Sequence, residues 1–349
     1  MSPTPYSLLF TPLLKQRVWG GRELEKLGRV LPPGATIGES WELADLPPSI
    51  PDGCSVIANG PLAGRTLHAL MAEDQQSILG AARPAPDGGF PLLIKYLDAR
   101  ANLSVQVHPD ENYVRRHPGA RLKSEAWYIV DALPGAVVYR GLDPAVTPRR
   151  LKADLRAGRI VDDLIALPVR PGDVVGLPAG VCHALGAGIV AAEIQTPSDT
   201  TFRLYDWDRT DRELHIEQAL QCVHFGPWEG NRRPGAQVDQ SRRPGQPMET
   251  EGALSEPLVA TEYFEVERVT VREGRRLAIV TNGLPIIWMM LRGAARVDGP
   301  GAPGSPGALL RRGDTVLHPA ALEGAAAQFD GPAMYLRIAP PSPLRGLIA

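Results

Sequence analysis

The chain has 349 residues, 44% of them hydrophobic, and 37 Lys plus Arg stand against 39 Asp plus Glu for a net charge of -2. That length and apolar content allow two packing units with separate cores, while the near-neutral balance excludes a global electrostatic footprint for nucleic acid or acidic membranes. With 36 Gly and 35 Pro the composition favours a turn-rich, mostly β protein over a disordered one, and any anionic ligand must be held locally.

Taken in chain order, the opening MSPTPYSLLFTPLLKQRVWGG contains one short apolar run, broken by Thr11 and Pro12, with no basic residue before it. It reads as neither a signal peptide nor a membrane span. SVIANG reads as a strand, and Thr66 is expected to N-cap a helix over TLHALMAEDQQSIL. FPLLIKYLDA, LSVQVHP, AWYIVDAL and AVVYRGL follow as strand-like runs bounded by Pro or Gly. From Pro148 to Leu167 the chain places Leu151, Leu155 and Leu164 at helical spacing, with Gly158 splitting the run. Strands resume with DVVGLPAG, IVAAEIQT and TFRLYDW. Between Glu229 and Pro257 the apolar pattern gives way to Pro, Gly, Gln and charge, as in a linker. We therefore expect a domain over 1–230, a linker over 231–257 and a second domain over 258–349. That second half carries YFEVERVTV, RLAIVTN, PIIWMMLRG, ARVDG, TVLHPA and MYLRIAP without a long helix signal. Regularly spaced short strands suggest sandwiches or barrels.

Cys54, Cys182 and Cys222 are odd in number and lack CxxC spacing, which argues against a disulfide framework and a zinc knuckle. The expectation is a cytoplasmic protein with no membrane or nucleic-acid partner, a monomer being favoured. A weak internal repeat joins the halves: Arg170-Pro-Gly-Asp173-Val-Val-Gly-Leu-Pro178-Ala resembles Arg312-Gly-Asp314-Thr-Val-Leu-His-Pro319-Ala. Both read as turn, strand, turn.

The segment Gly172-Asp-Val-Val-Gly-Leu-Pro178-Ala-Gly180-Val-Cys-His183 matches the second cupin motif, G-x5-P-x-G-x2-H, at every defined position. A reduced first motif survives as Gln106-x-His108 followed by Glu125. Period-two alternation puts Gln106 and His108 on one strand face, so both can point at one ion. Two imidazoles, a carboxylate and an amide oxygen suit Zn2+, or Fe2+, Mn2+ or Co2+, with zinc the first choice. The plainer alternative is a pair of satisfied interior histidines. In the second repeat the position of His183 is held by Gly324, which cannot bind metal.

The chain closely resembles the type I mannose-6-phosphate isomerases, the zinc-dependent phosphomannose isomerase family, in their short bacterial form. The matching segments are Val18-Trp19-Gly20-Gly21, Ile37-Gly-Glu39-Ser-Trp41, Pro91-Leu-Leu-Ile-Lys95, Leu103-Ser104-Val-Gln106-Val-His108-Pro-Asp110, Lys123-Ser-Glu125-Ala-Trp127-Tyr128, Pro178 to His183 and Thr201-Phe-Arg203-Leu-Tyr-Asp206. The resemblance implies two cupin jelly-roll barrels, the C-terminal one degenerate and without metal, with the helical segment at 148–167 available to roof the first. It implies one Zn2+ per chain on Gln106, His108, Glu125 and His183. It places catalytic roles on Arg203, Lys123 and Glu193 and substrate contacts on Ser104, Lys95, Lys123 and Arg203. The implied reaction interconverts mannose 6-phosphate and fructose 6-phosphate through a cis-enediol, a small sugar phosphate being the partner.

Three other readings stay open: a non-catalytic carbohydrate-binding cupin, an isomerase of a related sugar phosphate, and a metal-dependent oxygenase. A pure binding module would not need Lys123, Glu193 and Arg203 together. No GxxxxGK[ST] loop occurs, so Arg203, Lys95, Lys123 and Ser104 are the available holders for a phosphate. Trp19 and Trp41 read as core aromatics in preference to sugar platforms.

Overall fold

A computed structural model of the chain describes residues 5–226, 247–250, 252–272, 274–298 and 307–341. Most of the expected linker therefore lies outside the described residues. Strands β1 (Leu8–Thr11), β2 (Leu13–Gly21), β3 (Ile37–Leu43) and β4 (Val56–Ile57) precede helix α1 (Leu67–Leu79). Thr66 caps α1 as expected, its hydroxyl accepting from Ala69 N at 3.1 Å. Next come β5 (Leu93–Ala99), β6 (Val105–Val107), α2 (Glu111–Arg116), β7 (Glu125–Ala132) and β8 (Val137–Leu142). Sequence patterning misses α2, whose short length leaves no periodicity; Asp110 starts it by accepting from Tyr113 N at 2.8 Å.

Thr147 caps and Pro148 opens α3 (Pro148–Arg156), which stops well short of Leu167. Gly158 takes φ +69, a 3-10 turn spans Ile160–Asp163, and β9 (Leu164–Pro168) pairs with β8 as an edge strand. Pro168, with no N–H to donate, sits where the ladder ends. The chain continues through β10 (Val174–Leu177), β11 (His183–Leu185), β12 (Ile189–Gln195), β13 (Phe202–Tyr205) and α4 (Ile216–Cys222). Beyond them lie β14 (Met248–Thr250), β15 (Ala253–Ala260), β16 (Glu265–Val271), β17 (Arg275–Ala278) and β18 (Ile286–Arg292). The last strands are β19 (Ala294–Asp298), β20 (Ala308–Arg311), β21 (Thr315–His318), β22 (Ala326–Phe329) and β23 (Ala333–Ala339).

Two antiparallel sheets, β10-β7-β12-β5-β3-β2 and β13-β6-β11-β8-β9, make the first barrel. They close on an inner core of Trp19, Leu97, Trp127, Ile129, Val138, Leu177 and Leu185. The second unit joins β14-β15-β16-β23-β18-β21-β1-β4 to β17-β22-β19-β20. Alternation along β5 and β12 turns Ile94, Tyr96 and Ile194 outwards, where they share one apolar cluster with Ile287, Met289, Leu317, Leu336 and Ile338. The six-stranded and eight-stranded sheets thus pack face to face.

Three expectations change. The strand β1 belongs to the C-terminal sheet, pairing Leu8 with Leu317 and Leu9 with Val316, so the 1–230 boundary does not follow sheet membership. The chain crosses to the other sheet at Pro12, which has no N–H to continue a ladder. At the other end, β14 and β15 begin inside the stretch assigned to the linker; exposed, charge-bearing hairpins lack the apolar run that marks a strand in sequence. Finally, α3 backs the five-stranded sheet and does not roof its inner face, because Leu151 packs with Val105, Val107 and Cys182 on the outer side.

The internal repeat is real in backbone geometry. Gly172 and Gly313 have φ of +95 and +92, a region that side chains rarely adopt. Asp173 accepts from Arg170 N at 2.9 Å and Asp314 from Arg311 N at 2.7 Å, closing the same turn twice.

Candidate metal centre and the cleft around it

Cross-strand register decides which side chains meet, since residues directly opposite in an antiparallel pair share a face. In the five-stranded sheet Arg203, Gln106, His183 and Arg140 form one row across β13, β6, β11 and β8. In the six-stranded sheet Trp41, Lys95, Glu193 and Trp127 form another across β3, β5, β12 and β7. His108 lies two residues beyond Gln106 and Glu125 two before Trp127, so alternation sends both to the same interior.

There His183 Nε2 lies 3.2 Å from Glu125 Oε1 and His108 Nε2 lies 3.5 Å from Glu125 Oε2. Each ring sets its other nitrogen against a carbonyl oxygen, His108 Nδ1 to Thr200 O at 3.1 Å and His183 Nδ1 to Val181 O at 2.8 Å. That makes Nδ1 the N–H nitrogen and leaves Nε2 as the inward ligand atom, the usual orientation of a metal-bound histidine. Burial, with Lys123 adding to it and Glu125 opposing, lowers the pKa of His108 to about 3.

No well-aligned hydrogen bond reaches His108 Nε2 or either Glu125 oxygen, and all three atoms are buried. Lys123 Nζ, 2.9 Å from Glu125 Oε2, offsets part of the carboxylate charge, but buried acceptors that face one another are costly without a cation between them. A tetrahedral ion with bonds of about 2.0–2.1 Å holds its donors about 3.3–3.4 Å apart; the two His–Glu125 separations lie near that, and the ligand atoms of all three residues lie within 4.8 Å of one another. The residues fit a metal. Among the described residues they are also the one such cluster of His, Cys, Asp and Glu. Gln106 points its amide nitrogen at His183 Nε2, 3.3 Å away, while its oxygen accepts from Ser104 Oγ at 3.2 Å. Exchanging the two ends of that amide would turn the oxygen to the ion.

Around this centre charges alternate. Lys123 Nζ is 2.9 Å from Glu125 and 3.9 Å from Glu193; Lys95 Nζ is 3.1 Å from Glu193 and 3.8 Å from Glu39; Arg17 Nε is 2.7 Å from Glu39. Burial opposes the charge on Lys123, but Glu125 and Glu193 outweigh it and raise its pKa. For Glu125 burial is likewise outweighed, chiefly by Lys123 and His108, and its pKa falls well below the ordinary carboxylate range. Glu193 differs: burial and Glu125 prevail over Lys95 and Lys123, so its pKa is raised. Its Oε1 also accepts from Trp127 Nε1 at 3.2 Å.

Arg203 braces Nη1 on Glu213 O at 2.7 Å while its buried Nε has no partner. Its pKa is lowered by burial first and by Arg212, with Arg209 and Arg17 contributing and Asp206 opposing. Sequence reasoning overlooks Arg17, Glu39 and Arg140 as functional candidates. Glu39 sits inside a segment quoted for the resemblance, but its pairing across β3 and β5 is not visible in one dimension. Arg140 is buried and donates from Nε to Gly176 O at 2.7 Å, tying β8 to β10. Trp19 is a core residue, whereas Trp41 lies between two ammonium groups, Lys15 at 4.7 Å and Lys95 at 5.2 Å from its ring.

A cavity of about 300 Å³ opens between the start of α2 and the turn at Thr261, with Ser124 and Glu125 also in its lining. Asp110, Glu111 and Glu262 line it and no Lys or Arg does, so it repels a phosphate; the barrel interior, where the cations converge, is the better candidate.

The segment 8–128 matches the family model for the phosphomannose isomerase type I catalytic domain. The chain is 39% identical over 226 residues to mannose-6-phosphate isomerase ManA of Bacillus subtilis (strain 168), covering 63% of this chain and 69% of that protein. It is 32% identical over 323 residues to mannose-6-phosphate isomerase of Streptococcus mutans serotype c, 91% of this chain and 93% of that one. The fold matches the crystal structure of the mannose 6-phosphate isomerase from Bacillus subtilis with a TM-score of 0.80 at 27% identity, covering 95% and 99% of the two chains. Among the described residues no helix is long and apolar enough to cross a membrane.

Proposed function

The chain belongs to the type I phosphomannose isomerase family, and from that premise we propose a residue-level account of how it interconverts mannose 6-phosphate and fructose 6-phosphate. The observation that carries the account is the buried trio of His108, Glu125 and His183, whose ligand atoms all lie within 4.8 Å of one another. These three residues, with the Gln106 oxygen as fourth ligand, would hold one divalent ion. Zinc suits two imidazoles and a carboxylate best. When bound, it supplies Lewis acidity beside the reacting oxygens.

The reaction moves a proton between C1 and C2 and a second proton between the oxygens they carry, through a cis-enediol. In the aldose-to-ketose direction a base takes the C2 proton, the electron pair becomes the C1–C2 double bond, and O1 is protonated. Return of a proton to C1 and loss of one from O2 complete the ketose. Glu193 is suited to carry the carbon-bound proton, because burial and Glu125 raise its pKa towards the working range. Lys123 stays cationic and can stabilise charge as it develops on oxygen. Lys95 and Ser104 flank these groups and orient the sugar, and Arg203 offers fixed donors at the mouth.

The deciding experiment couples fructose 6-phosphate formation from mannose 6-phosphate to a spectrophotometric readout, before and after chelation, with metal analysis on the same sample. About one ion per chain and loss of turnover on chelation are expected. Full activity in protein free of metal would end the metal assignment. Absence of turnover in protein with one ion bound would end the reaction assignment.

A further inference from the structure

Across the barrel, the two sheets adjoin at one side through the Arg140 to Gly176 bond between β8 and β10. The opposite edges are β2 and β13. Arg17 stands on the first and Arg203 on the second. We infer that Arg17 is a second guanidinium for the substrate phosphate, clamping it with Arg203 across the gap between these edge strands. The inference rests on the sugar-phosphate reading above.

Four observations support it. Arg17 is held in place: Nε pairs with Glu39 Oε1 at 2.7 Å, and Nη1 donates to Gln16 O at 3.1 Å. Glu39 is itself fixed by Trp41 Nε1 at 2.6 Å, so the guanidinium is preorganised. Its Nη2 has no partner among the described residues, and the side chain is 36% exposed at the rim. Second, room is reserved for it. A Cβ on Gly38 would come within 2.5 Å of Arg17 Cβ and 2.7 Å of Arg17 Cγ, so glycine there lets the arginine lie flat across β3.

Third, the charges do not balance. Arg17, Lys95 and Lys123 pair in a chain with Glu39, Glu193 and Glu125, three cations to three carboxylates, and Arg203, whose Nε has no partner, adds a fourth cation before any metal is counted. Arg209 and Arg212 add to the field from behind but are taken up by Asp206. Fourth, Arg203 is poised for an anion: burial first, then Arg212, with Arg209 and Arg17 adding to it, lowers its pKa, and its buried Nε has no partner. Two guanidiniums with donors left over make a selective site for a dianion.

The test uses the full-length, metal-loaded protein with inorganic phosphate as probe, its affinity taken by calorimetric titration, alongside kcat and KM for mannose 6-phosphate. Arg17→Gln should raise both the phosphate Kd and KM by roughly tenfold to a hundredfold, with kcat within a few-fold and metal content unchanged. Arg17→Lys should recover part of the affinity, having charge but not the fork. Glu39→Gln serves as contrast: it keeps Arg17 but loosens its brace and frees Lys95, so kcat should fall while the phosphate Kd rises less than in Arg17→Gln. If Arg17→Gln instead lowers kcat and leaves the phosphate Kd untouched, Arg17 acts only through Glu39 and the clamp is overturned. Should phosphate binding depend on Arg17 in protein that does not turn over mannose 6-phosphate, the clamp stands and the reaction assignment falls.

Discussion

Arg203 shows how one side chain can be read at the scale of its own hydrogen bonds. Nη1 is anchored on Glu213 O, while the buried Nε–H lacks an acceptor, so one donor is set aside for something that arrives from outside. A lysine at this place would keep the charge but could not both brace on Glu213 and reach inwards. Hydrogen bonds to charged groups contribute about 1.5–3 kcal/mol, so Arg203→Lys is expected to lower kcat/KM by roughly tenfold to more than a hundredfold. Metal content should stay at the parent level, and an unchanged kcat/KM would show that this arginine never touches substrate. His183→Ala makes the complementary case. It removes an inward Nε2 and should lower metal occupancy in elemental analysis, which a merely structural histidine would not do. At this scale much was legible. His183 is announced by the turn residues around it, and His108 by its spacing from Gln106. Arg140 was not, since nothing in AVVYRGL distinguishes an inward arginine from a solvated one until β8 is paired with β11.

The row is the working unit at the scale of elements. Strands β3, β5, β12 and β7 contribute one side chain each, a cation and a carboxylate flanked by two aromatic rings: Trp41, Lys95, Glu193, Trp127. The ten-residue separation of Glu193 and Arg203 is a sequence fact, but they stand on different sheets, Glu193 opposite Lys95 and Trp127 and Arg203 opposite Gln106. Register of this kind depends on long-range pairing, which local pattern does not encode. Glu39 extends the network, and its protonation is testable. Burial works against its charge, yet Lys95 and Arg17 prevail and bring its pKa from the ordinary 4.5 to about 2. A carboxylate with a folded pKa below its unfolded one adds stability that is complete above about pH 4.5 and is lost as pH falls towards 2. At about 1.4 kcal/mol per pKa unit this contribution is on the order of 3 kcal/mol. The difference in urea midpoint between the parent chain and Glu39→Gln should therefore be large at pH 6 and shrink below pH 4.5. A difference that is flat from pH 6 to pH 3 would mean that Glu39 titrates as it does in an unfolded chain.

Across the whole molecule the second unit repeats the ladder of the first, with β16, β23, β18 and β21 in the places of β5, β12, β7 and β10. The matched turns at Gly172 and Gly313 set the alignment, which puts Trp288 at the place of Trp127, Arg337 at that of Glu193 and Glu267 at that of Lys95. The ion pair is kept with its sign reversed, Arg337 Nη1 to Glu267 Oε2 at 3.4 Å. Ile286 stands where Glu125 does, so a carboxylate ligand is missing at that place. What the second unit supplies to the first is an apolar face. Ile287, Met289, Leu317, Leu336 and Ile338 cover the outer side of the six-stranded sheet. Inside the same junction the buried Arg29, paired with Glu42 at 2.6 Å, donates to Gly313 O at 2.6 Å. Burial of one large aliphatic side chain is worth about 1.5–3 kcal/mol, so five of them amount to roughly the whole ~5–15 kcal/mol by which domains are stable. Strand β1 would also lose β21, its partner on one side. A chain ending at residue 226 should consequently fail as an independent catalytic unit: poor near-UV dichroism, strong binding of a hydrophobic dye, and metal content well below that of the full chain. Supplying residues 247–349 as a separate chain should restore part of the near-UV signal, because the missing face is then available. A monomeric, metal-bound and active protein comprising residues 1–226 alone would show instead that the first barrel carries its own stability, and that the face-to-face packing contributes little.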